Sequence, residues 1–130
     1  MATVHIDAAT RQHPHVSVGA VIIKNETTHE FTSVFHHIDN NEAEWATLNF
    51  ALEKCTELNI KQAIIYTDSQ IVVDSIDKRF AKDPRFKQYL TSFVNYESKF
   101  DLLLVSFITR EHNKHADHLA KTELYKYLNK

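Results

Sequence analysis

Four acidic residues, Asp7, Glu44, Asp68 and Asp117, sit where a surface carboxylate would not be expected. Most of the seventeen acids in the chain need only solvent. These four lie on segments whose apolar pattern turns them inward. In "TVHIDA" side chains alternate, so Val4 and Ile6 share one face while His5 and Asp7 share the other. "QAIIYTD" is an apolar run with Asp68 at its tip, and the carboxyl ends of such strands favour ligands. On the segment after Asn40, Glu44 falls in phase with Leu48, Ala51 and Cys55, whereas Glu42 falls off that stripe. Asp117 is in phase with Ala120, Leu124 and Leu128, and Asn113 precedes it by one turn. An acid near a helix start also suits the macrodipole, which is the plainer reading of Asp117.

Partly buried carboxylates repel one another, so either some stay protonated or a cation neutralises them. An all-oxygen ligand set suits Mg²⁺ or Mn²⁺ better than Zn²⁺. Four such acids can bracket two ions, the arrangement used for in-line displacement at phosphorus.

The elements that must hold these acids follow from periodicity. "TVHIDA" reads as a short strand, "VSVGAVIIK" as a second, rich in β-branched residues, and the alternating "HEFTSVFHH" as a third, with the polar loop "KNETTH" between the last two. At Asn40 the period changes, and Trp45, Leu48, Leu52 and Cys55 predict a helix over residues 41–59. A fourth strand follows in "QAIIYTD", then a short helix with Ser69 as N-cap, then a helix with Asp83 at its N-cap and Pro84 in first position. "DLLLVSFIT" is a fifth strand and "NKHADHLAKTELYKYLN" a final helix. This order predicts an α/β fold: a five-stranded mixed sheet, three antiparallel strands and then parallel ones, with helices on both faces.

The bulk composition narrows the function classes. A chain of 130 residues with no linker or repeat is expected to form one domain, residues 1–130. A net charge of −2 advertises no nucleic-acid partner, though a local basic patch can hide within it. A lone cysteine, Cys55, forms no intrachain disulfide and suits a reducing, cytoplasmic setting. No signal peptide is read at the N-terminus, and no apolar run is long enough to span a bilayer. With one glycine, Gly19, a P-loop or dinucleotide cradle is excluded.

"HIDAAT", "NNEAEWATLNFALE", "YTDSQIVVDSI" and "REHNKHADHLAK" together resemble type I ribonuclease H, in order and over nearly the whole chain, and most nearly its compact, archaeal-type branch. The resemblance implies a ribonuclease H-like fold and an enzyme that cuts the RNA strand of an RNA–DNA hybrid with two Mg²⁺ ions. It implies Asp7, Glu44, Asp68 and Asp117 as the catalytic and metal-binding acids, with no obligate protein partner and no membrane. Asn40 and Asn41 match the asparagine pair before the helix acid; Ser69 and Gln70 follow the third acid. In the family such groups contact the minor groove and sugars, and the 2′-hydroxyl tells RNA from DNA. Asn40 can equally be a plain N-cap. Asn113 matches a residue near the metal site. Arg110 matches an arginine that can meet phosphate, or is an exposed loop residue.

One departure stands out. Where the family usually carries a glycine-bearing turn after the first acid, this chain has "DAATRQHPHVSVG", leaving Arg11, His13 and His15 as substitute donors. No family histidine of the longer loops maps onto His112. The nine histidines do not build a zinc site: His112, His115 and His118 step by three with no cysteine cluster, and read as solvated. The basic stretch with Lys78, Arg79, Lys82, Arg85 and Lys87 can hold phosphates or form a solvated helix face. Two other functions stay open: a binding module of this fold that has lost turnover, and a DNA-cutting nuclease on the same fold.

Overall fold

The computed structural model describes residues 1–130. The elements are β1 (Ala2–Arg11), β2 (Val16–Lys24), β3 (Thr28–His36), α1 (Asn40–Glu57), β4 (Gln62–Thr67), α2 (Gln70–Lys78), α3 (Pro84–Glu97), β5 (Leu102–Phe107) and α4 (Lys114–Leu128), with a 3-10 turn at Arg110–His112. They form one five-stranded sheet in the order β3-β2-β1-β4-β5. β1–β2 and β2–β3 are antiparallel, while β1–β4 and β4–β5 are parallel. The fold is the mixed α/β sandwich that the pattern predicts. No helix is long and apolar enough to cross a membrane.

Strand alternation sorts the core. Val4 and Ile6 of β1 pair with Ile23 and Val21 of β2, so all four share a face. That face is covered by Trp45, Leu48, Ala51, Leu52 and Cys55 of α1, all fully buried, with Phe86 and Phe93 of α3 extending the layer. On the other face Val16 and Val18 meet Leu124 of α4. Both α1 and α4 pack across β1 and β2, which explains why β2 is buried on both faces along most of its length.

Gly19 serves close packing rather than phosphate binding. A Cβ there would lie 2.2 Å from Thr47 Oγ1 of α1, so its absence lets the helix settle on the strand.

Three details differ from the sequence reading. The first helix starts at Asn40 and ends at Glu57, and its N-cap is Asp39, whose carboxylate accepts the Glu42 N–H at 2.8 Å. Asn40 is therefore inside the helix and does not cap it. β1 extends to Arg11, past its predicted end, because its ladder with β2 continues to Arg11↔Val16. The "KRFAKDPRFKQY" stretch is also less cationic than its composition suggests. Arg79 is held by Glu97 and Arg85 by Asp39 and Asp83, each at 2.8 Å.

Candidate active site

The site arises where two ladders end at different points. β1 pairs with β4 only as far as His5↔Tyr66, but with β2 six residues further. Beyond His5, the β4 side of β1 has no backbone partner, and β4 turns away into α2. Asp7 and Asp68 each lie two residues past that last pair. The strand register thus brings the two acids to the lips of the same gap.

Glu44 enters from α1. It is 4% exposed, although it is a carboxylate on a helix. Its Oε1 accepts the Ala8 N–H at 3.2 Å, and Asp7 Oδ1 accepts the same N–H at 2.9 Å. One carboxylate oxygen from each of Asp7, Glu44 and Asp68 lies within 4.8 Å of the others. Asp117 comes from the first turn of α4 and stands outside this triad. Its Oδ2 pairs with Lys121 Nζ at 3.1 Å. It lines the same cavity of about 290 Å³, together with Thr10, Asn40, Arg110 and Lys121.

The electrostatics follow from that crowding. Burial, and then the Asp68 charge, push the Asp7 carboxyl up to about 7, and a contact with Asp117 adds to the rise. Burial, then the charges of Asp7 and Asp68, hold Glu44 well above the usual carboxylate range. Burial also raises Asp68, opposed by the Arg110 charge and by the nearby Asn113 amide. Three acids that resist ionisation beside one another are a place where a cation would relieve the repulsion. Glu44 Oε2 and Asp68 Oδ2 are buried and accept no hydrogen bond, an expensive arrangement unless something else meets them. The donor set is all oxygen, so the residues fit a hard divalent cation.

The remaining candidates surround a second hollow, of about 230 Å³, that shares Asn40, Glu44, Asp68 and Arg110 with the first and adds Asn41, Ser69 and Gln70. Ser69 also caps α2, accepting the Val72 N–H at 3.4 Å. Gln70 donates to Asp74 at 2.8 Å and is exposed. Asn113 is different: it is 1% exposed, and its amide donates to the Ile6 carbonyl at 2.8 Å. That bond ties the start of α4 to β1 one residue before Asp7. Its Oδ1 is buried without a partner.

Two wall residues were missed by sequence reasoning. Lys121 was legible as an i,i+4 partner of Asp117. Thr10, bonded to Ser17 at 2.7 Å and to Asn40 at 3.2 Å, carried no signal beyond a polar residue near a strand end.

Comparison with known proteins agrees with this architecture. A family model described as Reverse transcriptase-like matches residues 5–123. A relative from Enterococcus faecalis, named "Putative hydrolase EbsB", is 33% identical over 130 residues, covering 98% of this chain and 96% of its own. The ribonuclease H1 of the halophilic archaeon Halobacterium salinarum superposes with a TM-score of 0.88 at 22% identity, over 96% of this chain and 98% of that one. LC11-RNase H1, solved in complex with an RNA/DNA hybrid, gives 0.88 at 24% identity over 98% and 99% of the two chains. A structure of LC11-RNase H1 isolated from compost gives 0.86 at 25% identity, over 98% and 97%.

Proposed function

Because this chain belongs to the Reverse transcriptase-like family and has the ribonuclease H fold, we propose that it hydrolyses the RNA strand of RNA–DNA hybrids. The observation that carries this reading is the triad of Asp7, Glu44 and Asp68, with two buried carboxylate oxygens left unbonded. Asp7, Glu44, Asp68 and Asp117 are the residues that would hold two Mg²⁺ or Mn²⁺ ions. When bound, such ions supply the charge that activates water and stabilises the leaving oxygen.

The chain's own residues do the positioning. Asn113 anchors α4 to β1 and so fixes Asp117 relative to Asp7. The Ala8 N–H orients the Asp7 and Glu44 carboxylates at once. Arg110, exposed at the rim, offers a fork of donors to a phosphate. Asn40, Asn41, Ser69 and Gln70 line the adjoining hollow, where amide and hydroxyl groups can read base edges and the 2′-hydroxyl of an RNA strand. In the reaction a water oxygen bonds to phosphorus and the 3′ oxygen departs with a proton. This leaves a 5′-phosphate and a 3′-hydroxyl.

The test is a panel of labelled substrates: single strands, duplex DNA, duplex RNA and hybrid, in Mg²⁺ or Mn²⁺, beside Asp68→Asn. Cleavage confined to the RNA of the hybrid and lost in the variant is the expected result. Cleavage that survives in the variant removes Asp68 from its role. A second reading, a module that binds hybrid without cutting it, draws on Asp117, which stands outside the triad and pairs with Lys121. Tight hybrid binding with no cleavage in either metal selects it.

A further inference from the structure

Histidine occupies nine positions of the chain. Several are partnered: His115 with Glu30, His112 with Thr109, His29 with Thr27 and His118 with Thr122. Three others gather at the β1–β2 hairpin end of the sheet with no acid attached. The His15 and His37 rings are 6.4 Å apart, and those of His36 and His37 are 6.2 Å apart. His15 Nε2 is buried and unbonded. His36 faces Tyr127 of α4, whose hydroxyl lies 3.5 Å from His36 Nε2, and the Lys130 ammonium sits over the same Tyr127 ring.

Backbone geometry holds the group in place. The His37 N–H donates to the His15 carbonyl at 3.1 Å. His37 has φ 62°, the left-handed region that residues with a Cβ usually avoid. A residue kept there is a reason to look for function. Two cations are placed nearby: Arg11 is the β1 partner of Val16, whose β3 partner is His36, and Lys130 reaches the Tyr127 ring at the end of α4. Of the nearby acids, Asp39 is bound to Arg85 and Glu123 to Lys126. The cluster also adjoins the cavity. Ser17, the residue after Val16 on β2, bonds Thr10 of the cavity wall and reaches the carbonyl of Ile38, next to His37.

We propose that His15, His36 and His37 form a phosphate-binding patch that grips the backbone of the nucleic acid beside the acid cavity. The inference rests on the reading that a hybrid is the substrate. A phosphodiester beside an imidazole favours its protonated form. Binding therefore takes up protons, and affinity falls as pH rises through the histidine range.

The test measures affinity for a labelled hybrid by anisotropy between pH 6 and pH 8, with turnover blocked by Asp68→Asn. In that background a triple change, His15→Gln, His36→Gln and His37→Asn, removes the imidazoles, and asparagine tolerates the left-handed φ at position 37. Affinity is expected to drop about tenfold from pH 6 to pH 8 in the parent, and less than about threefold in the triple variant. Every other titratable group is the same in the two proteins, so the difference in slope reports the imidazoles. A single His36→Lys change, at an exposed position, fixes the charge and should tighten binding at pH 8. It keeps the test decisive if the triple variant folds poorly. Equal pH slopes in parent and triple variant, with no gain from His36→Lys, overturn the patch while hybrid cleavage by the unmodified protein still stands. Absence of hybrid binding at every pH overturns both readings.

Discussion

The slab between α1 and the sheet and the cavity at the end of β1 are built from the same two elements, yet they solve opposite problems. In the slab every large side chain is apolar and closed off. A few residues along, the same helix and strand bury carboxylates against one another and leave two oxygens unbonded. Glu42 and Glu44 condense the contrast into one helical turn. Glu42 is half-buried and accepts the Tyr89 hydroxyl at 2.7 Å. Glu44 is buried among other acids and resists ionisation. A fold spends stability on such a cluster only where something is meant to complete it.

The largest effect that could break this contrast is on turnover. Glu44→Gln keeps the shape and removes a charge. Hybrid cleavage is expected to fall on the order of a thousandfold or more, since on the proposed reading this group holds a divalent ion, a role worth several kcal/mol. Glu42→Gln, two residues away, should leave turnover within about threefold of the parent. If the two variants lose activity equally, the distinction between the acids is void.

In the slab the cost appears in folding instead. Trp45 is fully buried, with its ring 6.2 Å from that of Phe86. Trp45→Ala opens a cavity there and should cost about 3–4 kcal/mol in denaturant unfolding. Far-UV circular dichroism in urea would measure it. A loss below about 1 kcal/mol would mean that α1 is not seated as described.

The third prediction reverses the usual direction of a mutation. Asp7 keeps its proton up to about pH 7 in the metal-free fold, against 3.8 for an ordinary aspartate. The folded state therefore binds more protons than the unfolded one between those values, and unfolding free energy falls as pH rises across that window. Below about pH 4 both states are protonated and the effect vanishes. Asp7→Asn removes the burden. It should raise the unfolding free energy of metal-free protein at pH 8 by on the order of 2 kcal/mol, and leave it unchanged at pH 4. Added Mg²⁺ should stabilise the parent at pH 8 and close most of the gap. A variant less stable than the parent at pH 8 would contradict the crowding described here.

How far the sequence alone leads is clearest in these same residues. The phase of Glu44 with Leu48 and Cys55 placed it inward, and the strand tips placed Asp7 and Asp68 near one another, because periods of 3.6 and 2 are written locally. The cap was not legible. Asp39, Asn40 and Asn41 are all competent N-caps, and only the way the chain leaves β3 selects Asp39. The length of β1 was hidden because Thr10 and Arg11 are polar, whereas their pairing with β2 is made by backbone. Asn113 shows the limit most plainly: its bond to Ile6 spans 107 residues of sequence, and no local pattern encodes it. The splay between β1 and β4 that opens the cavity is likewise a property of two ladders, legible in neither strand.

The smallest effect sharpens the satisfied side of the comparison. Tyr89, on α3, gives Glu42 a partner, and burial together with that hydrogen bond raises the phenol's resistance to ionisation. Tyr89→Phe removes one partly exposed hydrogen bond and leaves the ring in place. Glu42 is open enough to water to recover a partner from solvent, so the expected loss is about 0.5–1 kcal/mol in urea unfolding. Hybrid cleavage should be unaffected, because α3 reaches the first helical turn on the side away from the acids. A tenfold fall in cleavage with unchanged stability would show that Glu42 and Glu44 are coupled through that turn. The boundary between slab and cavity would then lie one residue pair further into α1 than the burial pattern places it.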